Sequence, residues 1–156
     1  MLRVYGDADA MRWVGDGSPI TEDEAERWIV VTNENYRKRG YGMFAIESGE
    51  TDAVIGFCGL VHPGGQPEPE LKYALDRAVW GGGLATEVAG AMLEYARSVL
   101  GLAAVIATIA RENAASIRIV ERLGMTRSTP RVEDDGSITE VYTIQLNTTG
   151  STDALG

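Results

Sequence analysis

Three consecutive glycines, Gly81, Gly82 and Gly83, stand directly before the strongest helical pattern of the chain, in the stretch VWGGGLATEVAGAMLEYA at 79–96. Glycine inside a helix costs about 1 kcal/mol relative to alanine. A triplet at a helix mouth is therefore either a plain flexible loop or a place where something approaches the main chain more closely than a Cβ allows. The first turn of a helix offers unpaired N–H groups and a partial positive charge, which suits phosphate. The Walker pattern needs Lys-Ser/Thr after its last glycine, and Leu84-Ala85 follow instead. The dinucleotide fingerprint matches at Gly81 and Gly83 but meets Thr86 at its last position. That fingerprint opens a domain rather than following a run of strands, which places a nicotinamide-dependent oxidoreductase behind other phosphate binders.

Three further side chains carry chemistry. Glu70 heads the strand that leads into the glycine loop, and His62, the one histidine, lies on the loop before that strand. Histidine has an ordinary pKa suited to proton transfer near neutrality, whereas a carboxylate acts through water or in a site that raises its pKa. Cys58 sits in the apolar run AVIGFCGLVH with no basic neighbour in sequence and reads as a buried, inert thiol. One histidine and one cysteine build no recognisable zinc site, and a single cysteine allows no disulfide within the chain.

The elements that must hold these residues follow from periodicity. A short helix is predicted over 7–14. A second spans 21–39, opened by a Thr21/Glu24 capping box, with acids in its first turn, bases in its last, and Ala25, Trp28, Ile29 and Thr32 on its apolar face. Strands are predicted over 41–48, 53–62 and 70–79; their short connections make an antiparallel meander. The glycines of the second imply bulges or close main-chain contacts. In the third, Leu71, Tyr73 and Leu75 alternate with Glu70 and Lys72. A helix over 84–100 carries Leu84, Val88, Met92, Tyr95 and Val99 at spacings of three and four, and Gly101 ends it. A continuous apolar strand covers 103–110, a second amphipathic helix 113–124, and a terminal hairpin turns at DDGS. This order gives an α+β fold: one mixed, mainly antiparallel sheet flanked by helices. Residues 1–146 form one domain, and the small polar residues of 147–156 form a flexible tail.

Composition narrows the partners. The 156 residues are 44% hydrophobic and 24% charged, enough apolar material for a core and too little charge for disorder. The formal charge of −9 argues against nucleic acid, which selects a basic face, and suits an amine-bearing partner. No apolar stretch reaches the 18 residues of a membrane span and the start has no signal-peptide shape, so no membrane partner and a cytoplasmic location are expected.

The segment WGGGLATE at 80–87 resembles the coenzyme A pyrophosphate loop of the GNAT superfamily of N-acetyltransferases, Gln/Arg-x-x-Gly-x-Gly/Ala, matching at Gly83 and Ala85. Trp80 departs from the general pattern and is similar to a branch of ribosomal-protein-alanine acetyltransferase-like enzymes. That branch also carries an Asn-x-x-Ser-x-Arg stretch ending in Leu-Gly-Phe/Met, which NAASIRIVERLGM at 113–125 resembles. The resemblance spans about residues 7–146. It implies the acyl-CoA N-acyltransferase fold, begun here partway through the family's first helix and lacking its first strand. It further implies acetyl-CoA as co-substrate, no metal, an amine acceptor that is a protein N-terminus or a small molecule, and a possible homodimer. Trp80, Gly81, Gly82, Gly83, Leu84, Ala85 and Thr86 then hold the phosphates, Asn113 the pantetheine arm, Glu70 removes the amine proton, and Ser116 donates to the leaving sulfur. His62 or water stays open as the base. A non-catalytic acyl-CoA-binding or regulatory module with the same fold is the alternative.

Overall fold

The computed structural model describes residues 1–13 and 17–146. The expected tail at 147–156 and residue 14 of the first expected helix lie outside them. The expected helix over 7–14 is present as the shorter α2 (Ala8–Met11), with the Asp7 carboxylate accepting from the N–H groups of Asp9 and Ala10, and a further short helix, α1 (Leu2–Tyr5), precedes it. Among the described residues no strand precedes α3 (Glu22–Arg39).

Helix α3 begins where its chemistry dictates. Thr21 Oγ1 accepts from Glu24 N at 3.3 Å, and Glu24 Oε2 accepts from Thr21 N at 2.7 Å. Gly40 ends the helix in the left-handed region at φ 78°. The inward face differs from the expected one: Ala25 is buried, but Ile29 is 49% exposed. Trp28 and Thr32 hold to the expected face, joined by Val31 and Asn35 rather than Ile29, in one stripe at a spacing of three, four and seven. The sequence alone offers Val30 and Val31 as well as Ile29, so the rotation of the stripe is set by what Trp28 packs against.

The sheet runs β1-β2-β3-β4-β7-β5, with β6 also on β7. Its members are β1 (Met43–Glu47), β2 (Val54–Val61), β3 (Glu70–Leu75), β4 (Ala104–Ala110), β5 (Thr126–Arg127), β6 (Arg131–Val132) and β7 (Ile138–Gln145). All neighbours are antiparallel except β3 and β4, the two strands joined through α4 (Leu84–Ser98). The glycines of β2 mark close contacts, as their pattern implied. A Cβ on Gly59 would lie 2.3 Å from Gly42 O, and one on Gly56 2.6 Å from Ala74 O. The strand expected over 70–79 stops at Leu75 and passes into a tight turn over Arg77–Val79, capped by the Asp76 carboxylate. The first strand of the terminal hairpin is broken into β5 and β6 around Pro130, which has no N–H to give to β7.

The two faces of the sheet are covered by different parts of the chain. Leu71 and Tyr73 of β3 and Val105, Ala107 and Ile109 of β4 pack with Ala89, Met92, Leu93 and Ala96 of α4 and with Val120 of α5 (Ala114–Arg122). On the other face Ala74 packs with Val4, Tyr5, Met11, Trp28 and Phe57. Alternation along the strands therefore sends Tyr73 toward α4 and α5, and Glu70, Lys72 and Thr108 toward α1–α3.

Candidate active site

Strands β3 and β4 pair at one register position, Glu70 opposite Ile106, with Ile106 N donating to Pro69 O at 3.0 Å. The other central pairs hold register over six or seven residues. Past Ile106 no main-chain pairing joins β3 to β4 and a cleft of about 1030 Å3 opens, lined by Leu71–Leu75 of one strand and Ala107–Ile109 of the other. It reaches through the sheet: its walls include the glycine loop and α5 on one side and α2 and α3 on the other.

The glycine loop forms one mouth. Trp80, Gly81, Gly83, Leu84, Ala85 and Thr86 line the cleft, and Gly82 does not. Trp80 anchors the loop by donating its indole N–H to Leu75 O at 3.0 Å. Gly81 and Gly83 take φ values of 87° and 78°, where L-residues are strained. Gly82 has a negative φ, and a Cβ on any of the three would meet no atom within 4 Å. The protein's own packing thus leaves this surface bare. Among the described residues the N–H groups of Gly81 to Thr86 donate to no protein acceptor; the first main-chain bond of α4 is Glu87 N to Gly83 O at 3.1 Å. Six adjacent unpaired amides at a helix start, the first three without a Cβ over them and all but that of Gly82 belonging to residues that line the cleft, fit a diphosphate. Arg118 and Arg122, one turn apart on α5, line the same cleft and make no ion pair among the described residues.

Two polar groups meet in the gap between the strands, one on each face. On the α5 side Tyr73 donates its hydroxyl hydrogen to Ser116 Oγ at 3.1 Å, and both residues line the cleft. Burial raises the Tyr73 pKa above its ordinary value; the Ser116 bond opposes this in part, and Cys58 adds a smaller upward push. The phenol is therefore a protonated donor across the working pH range. Asn113 caps α5, its side chain accepting from Ser116 N at 3.3 Å, and lines the cleft as well.

On the α1–α3 side lies Glu70. It is 1% exposed rather than a surface strand-end carboxylate, and it is not itself a cleft wall. Thr108 donates its hydroxyl to Glu70 Oε1, Lys72 Nζ sits 2.7 Å from the same oxygen, and Gln66 Nε2 donates to Oε2 at 3.1 Å. Thr108 and Lys72 do line the cleft, so the buried carboxylate reaches it through them. His62 is spent elsewhere. Its Nδ1 lies 2.9 Å from Gln66 O, which only accepts, so the proton is on Nδ1 and Nε2 accepts from Tyr41 Oη at 2.6 Å. It is not a cleft wall. Cys58 is buried, and desolvation pushes its thiol up to about 12, in keeping with an inert role. Tyr73, Lys72 and Thr108 were not singled out from sequence: the first reads as an inward apolar position, and the other two acquire meaning only when β3 and β4 are neighbours.

A sheet with one parallel pair that parts into a cleft, and with a bare glycine loop opening the helix after it, defines the acyl-CoA N-acyltransferase architecture. The acetyltransferase (GNAT) domain family matches residues 1–126. An uncharacterized Bacillus subtilis protein, YkkB, is 31% identical over 125 residues, covering 78% of this chain and 71% of that one. The uncharacterized N-acetyltransferase p20 of Bacillus licheniformis is 29% identical over 153 residues, covering 94% and 84%. The crystal structure of an Agrobacterium tumefaciens acetyltransferase superposes with a TM-score of 0.73 at 28% identity, covering 88% of this chain and 82% of that one. The chain belongs to the GNAT acetyltransferase family and is an N-acetyltransferase. Among the described residues no group of three or more histidine, cysteine or carboxylate side chains is placed to hold a metal ion. No described helix is long and apolar enough to cross a membrane.

Proposed function

We propose that the protein transfers the acetyl group of acetyl-CoA to a primary amine by direct attack. The observation that carries this is the bare row of amides from Gly81 to Thr86 at the mouth of a cleft running between β3 and β4. Acetyl-CoA supplies the activated thioester. The chain holds its diphosphate on those amides, with Arg118 and Arg122 adding positive charge, and Asn113 has amide hydrogens free for the pantetheine arm. Main-chain N–H groups of β3 released by the splay are donors for the thioester carbonyl.

The proton balance uses the two polar groups on opposite faces. The new N–C bond forms as the C–S bond breaks; the amine gives up one proton and the sulfur takes one. Glu70 accepts the first through Thr108 or a water beside it. Ser116 donates the second and is resupplied by Tyr73. A base on one face and an acid on the other let amine and thioester meet in the gap without either group crossing the sheet.

Calorimetric titration with acetyl-CoA, followed by amine-dependent release of free thiol, tests the proposal. Saturable binding and turnover support it; no heat at high micromolar ligand overturns it. Binding without turnover on any amine would instead identify a regulatory acyl-CoA module. Glu70→Gln, isosteric and able to keep the Thr108 and Lys72 contacts, is expected to lower kcat by about 10²-fold with little change in acetyl-CoA affinity. The likeness of WGGGLATE and NAASIRIVERLGM to the ribosomal-protein-alanine branch makes a protein N-terminus one acceptor to include.

A further inference from the structure

The acceptor wall of the cleft lacks what a polycation needs. On the α1–α3 side the cleft is walled by Tyr5, Trp13, Trp28 and Val31. Trp28 is a fixed wall: it packs edge-on against Tyr5 at 4.6 Å and 72°, and Tyr5 stacks on Phe57 at 5.2 Å and 25°. Among the described residues Asp9 is the only carboxylate lining the cleft, and it is engaged by Arg77. Glu70 lies behind the wall and is paired with Lys72. The cations on this side are Lys72, taken up by Glu70, and Arg12, whose guanidinium lies 4.8 Å from the centre of the Trp13 ring. Among the described residues, a chain of net charge −9 thus presents no unpaired acid on this wall. An ammonium buried without a partner is costly, so a second or third cationic centre on the acceptor has no place here. A flat apolar body does, against rigid indole and phenol rings.

We infer that the acceptor is a small monoamine carried on an aromatic or comparably flat apolar body, not a polyamine. This rests on the acetyl transfer proposed above. The test is thiol release with acetyl-CoA and matched concentrations of 2-phenylethylamine, tryptamine, spermidine and a short peptide with a free N-terminus. At least one arylalkylamine is expected to exceed spermidine and the peptide by about tenfold or more in kcat/KM, the value of burying one apolar side chain's worth of surface. Trp28→Ala is expected to raise KM for that amine by about tenfold, with Trp28→Phe recovering most of the loss and acetyl-CoA affinity within twofold of the parent in both. Equal or better use of spermidine, preference for the peptide, or no arylalkylamine turnover despite acetyl-CoA binding each overturns the inference while leaving the transfer reading in place. Loss of acetyl-CoA binding in the parent protein would remove the transfer reading itself.

Discussion

Alanine at Gly83 changes two things, and a second glycine separates them. Gly83 has φ 78° and ψ 6°; Gly40, at the far end of α3, has φ 78° and ψ 7°. A Cβ at either position meets no atom within 4 Å. Alanine in the left-handed region costs about 1–2 kcal/mol, so Gly83→Ala and Gly40→Ala should each lower Tm by a similar amount, about 2–8 °C for a chain of this size. They differ in surroundings: Gly83 lines the cleft and Gly40 does not. If the loop amides grip a diphosphate, the Gly83 methyl displaces it from at least one charge-assisted hydrogen bond, worth about 1.5–3 kcal/mol. At 1.4 kcal/mol per tenfold, that is a loss of about 10- to 100-fold in acetyl-CoA affinity. Differential scanning fluorimetry measures the first effect and isothermal titration calorimetry the second. The expected pattern is matched Tm losses with a weakened Kd in Gly83→Ala alone. A Kd within twofold of the parent, together with the matched Tm loss, would refute the phosphate cradle; equal weakening in Gly40→Ala would show a general effect of destabilisation.

Tyr73→Phe removes the hydroxyl that feeds Ser116 and is expected to lower kcat by about 10²-fold while leaving KM for acetyl-CoA within a few fold, read by steady-state thiol release. Gly59→Ala forces a methyl against Gly42 O at 2.3 Å and Met43 Cα at 2.5 Å, main-chain atoms with little room to move; urea unfolding should show a loss of about 1–3 kcal/mol or more. The Cys58 thiol, pushed up to about 12 by burial, should resist iodoacetamide at pH 8 in the native protein and react fully in denaturant, as followed by intact mass. Because that pKa is raised on folding, the stability it contributes is complete below the unfolded value near 9 and is lost as pH rises toward 12; the urea midpoint should fall through that window, less steeply in Cys58→Ala.

Local chemistry made much of this fold legible in the sequence. The Thr21/Glu24 box fixes the start of α3, the glycine triplet marks the start of α4, and Asn113 caps α5 within a residue of its expected start. The glycine loop, Asn113 and Ser116 could be proposed from sequence because each lies inside a short continuous pattern, and all of them but Gly82 line one cleft. The side chains that had to be seen in space have no such pattern. Thr108 and Glu70 are 38 residues apart, and Tyr73 and Ser116 are 43 apart. Alternation put Tyr73 on the inner face correctly, yet gave no sign that its hydroxyl emerges where the sheet parts. The face of α3 was misjudged at Ile29 because three consecutive β-branched residues, Ile29, Val30 and Val31, leave helical phase ambiguous. The contact between Trp28 and Tyr5 resolves it.

The two margins of the sheet are unlike. On the β7 side the outermost pieces are β5 and β6, two residues each, separated around Pro130. Such a margin offers no long run of main-chain groups to another molecule. The opposite margin is β1, five continuous residues, where Tyr36 Oη reaches Met43 O at 2.9 Å. Of the two margins β1 therefore offers the longer run of main-chain groups, part of it already taken by Tyr36.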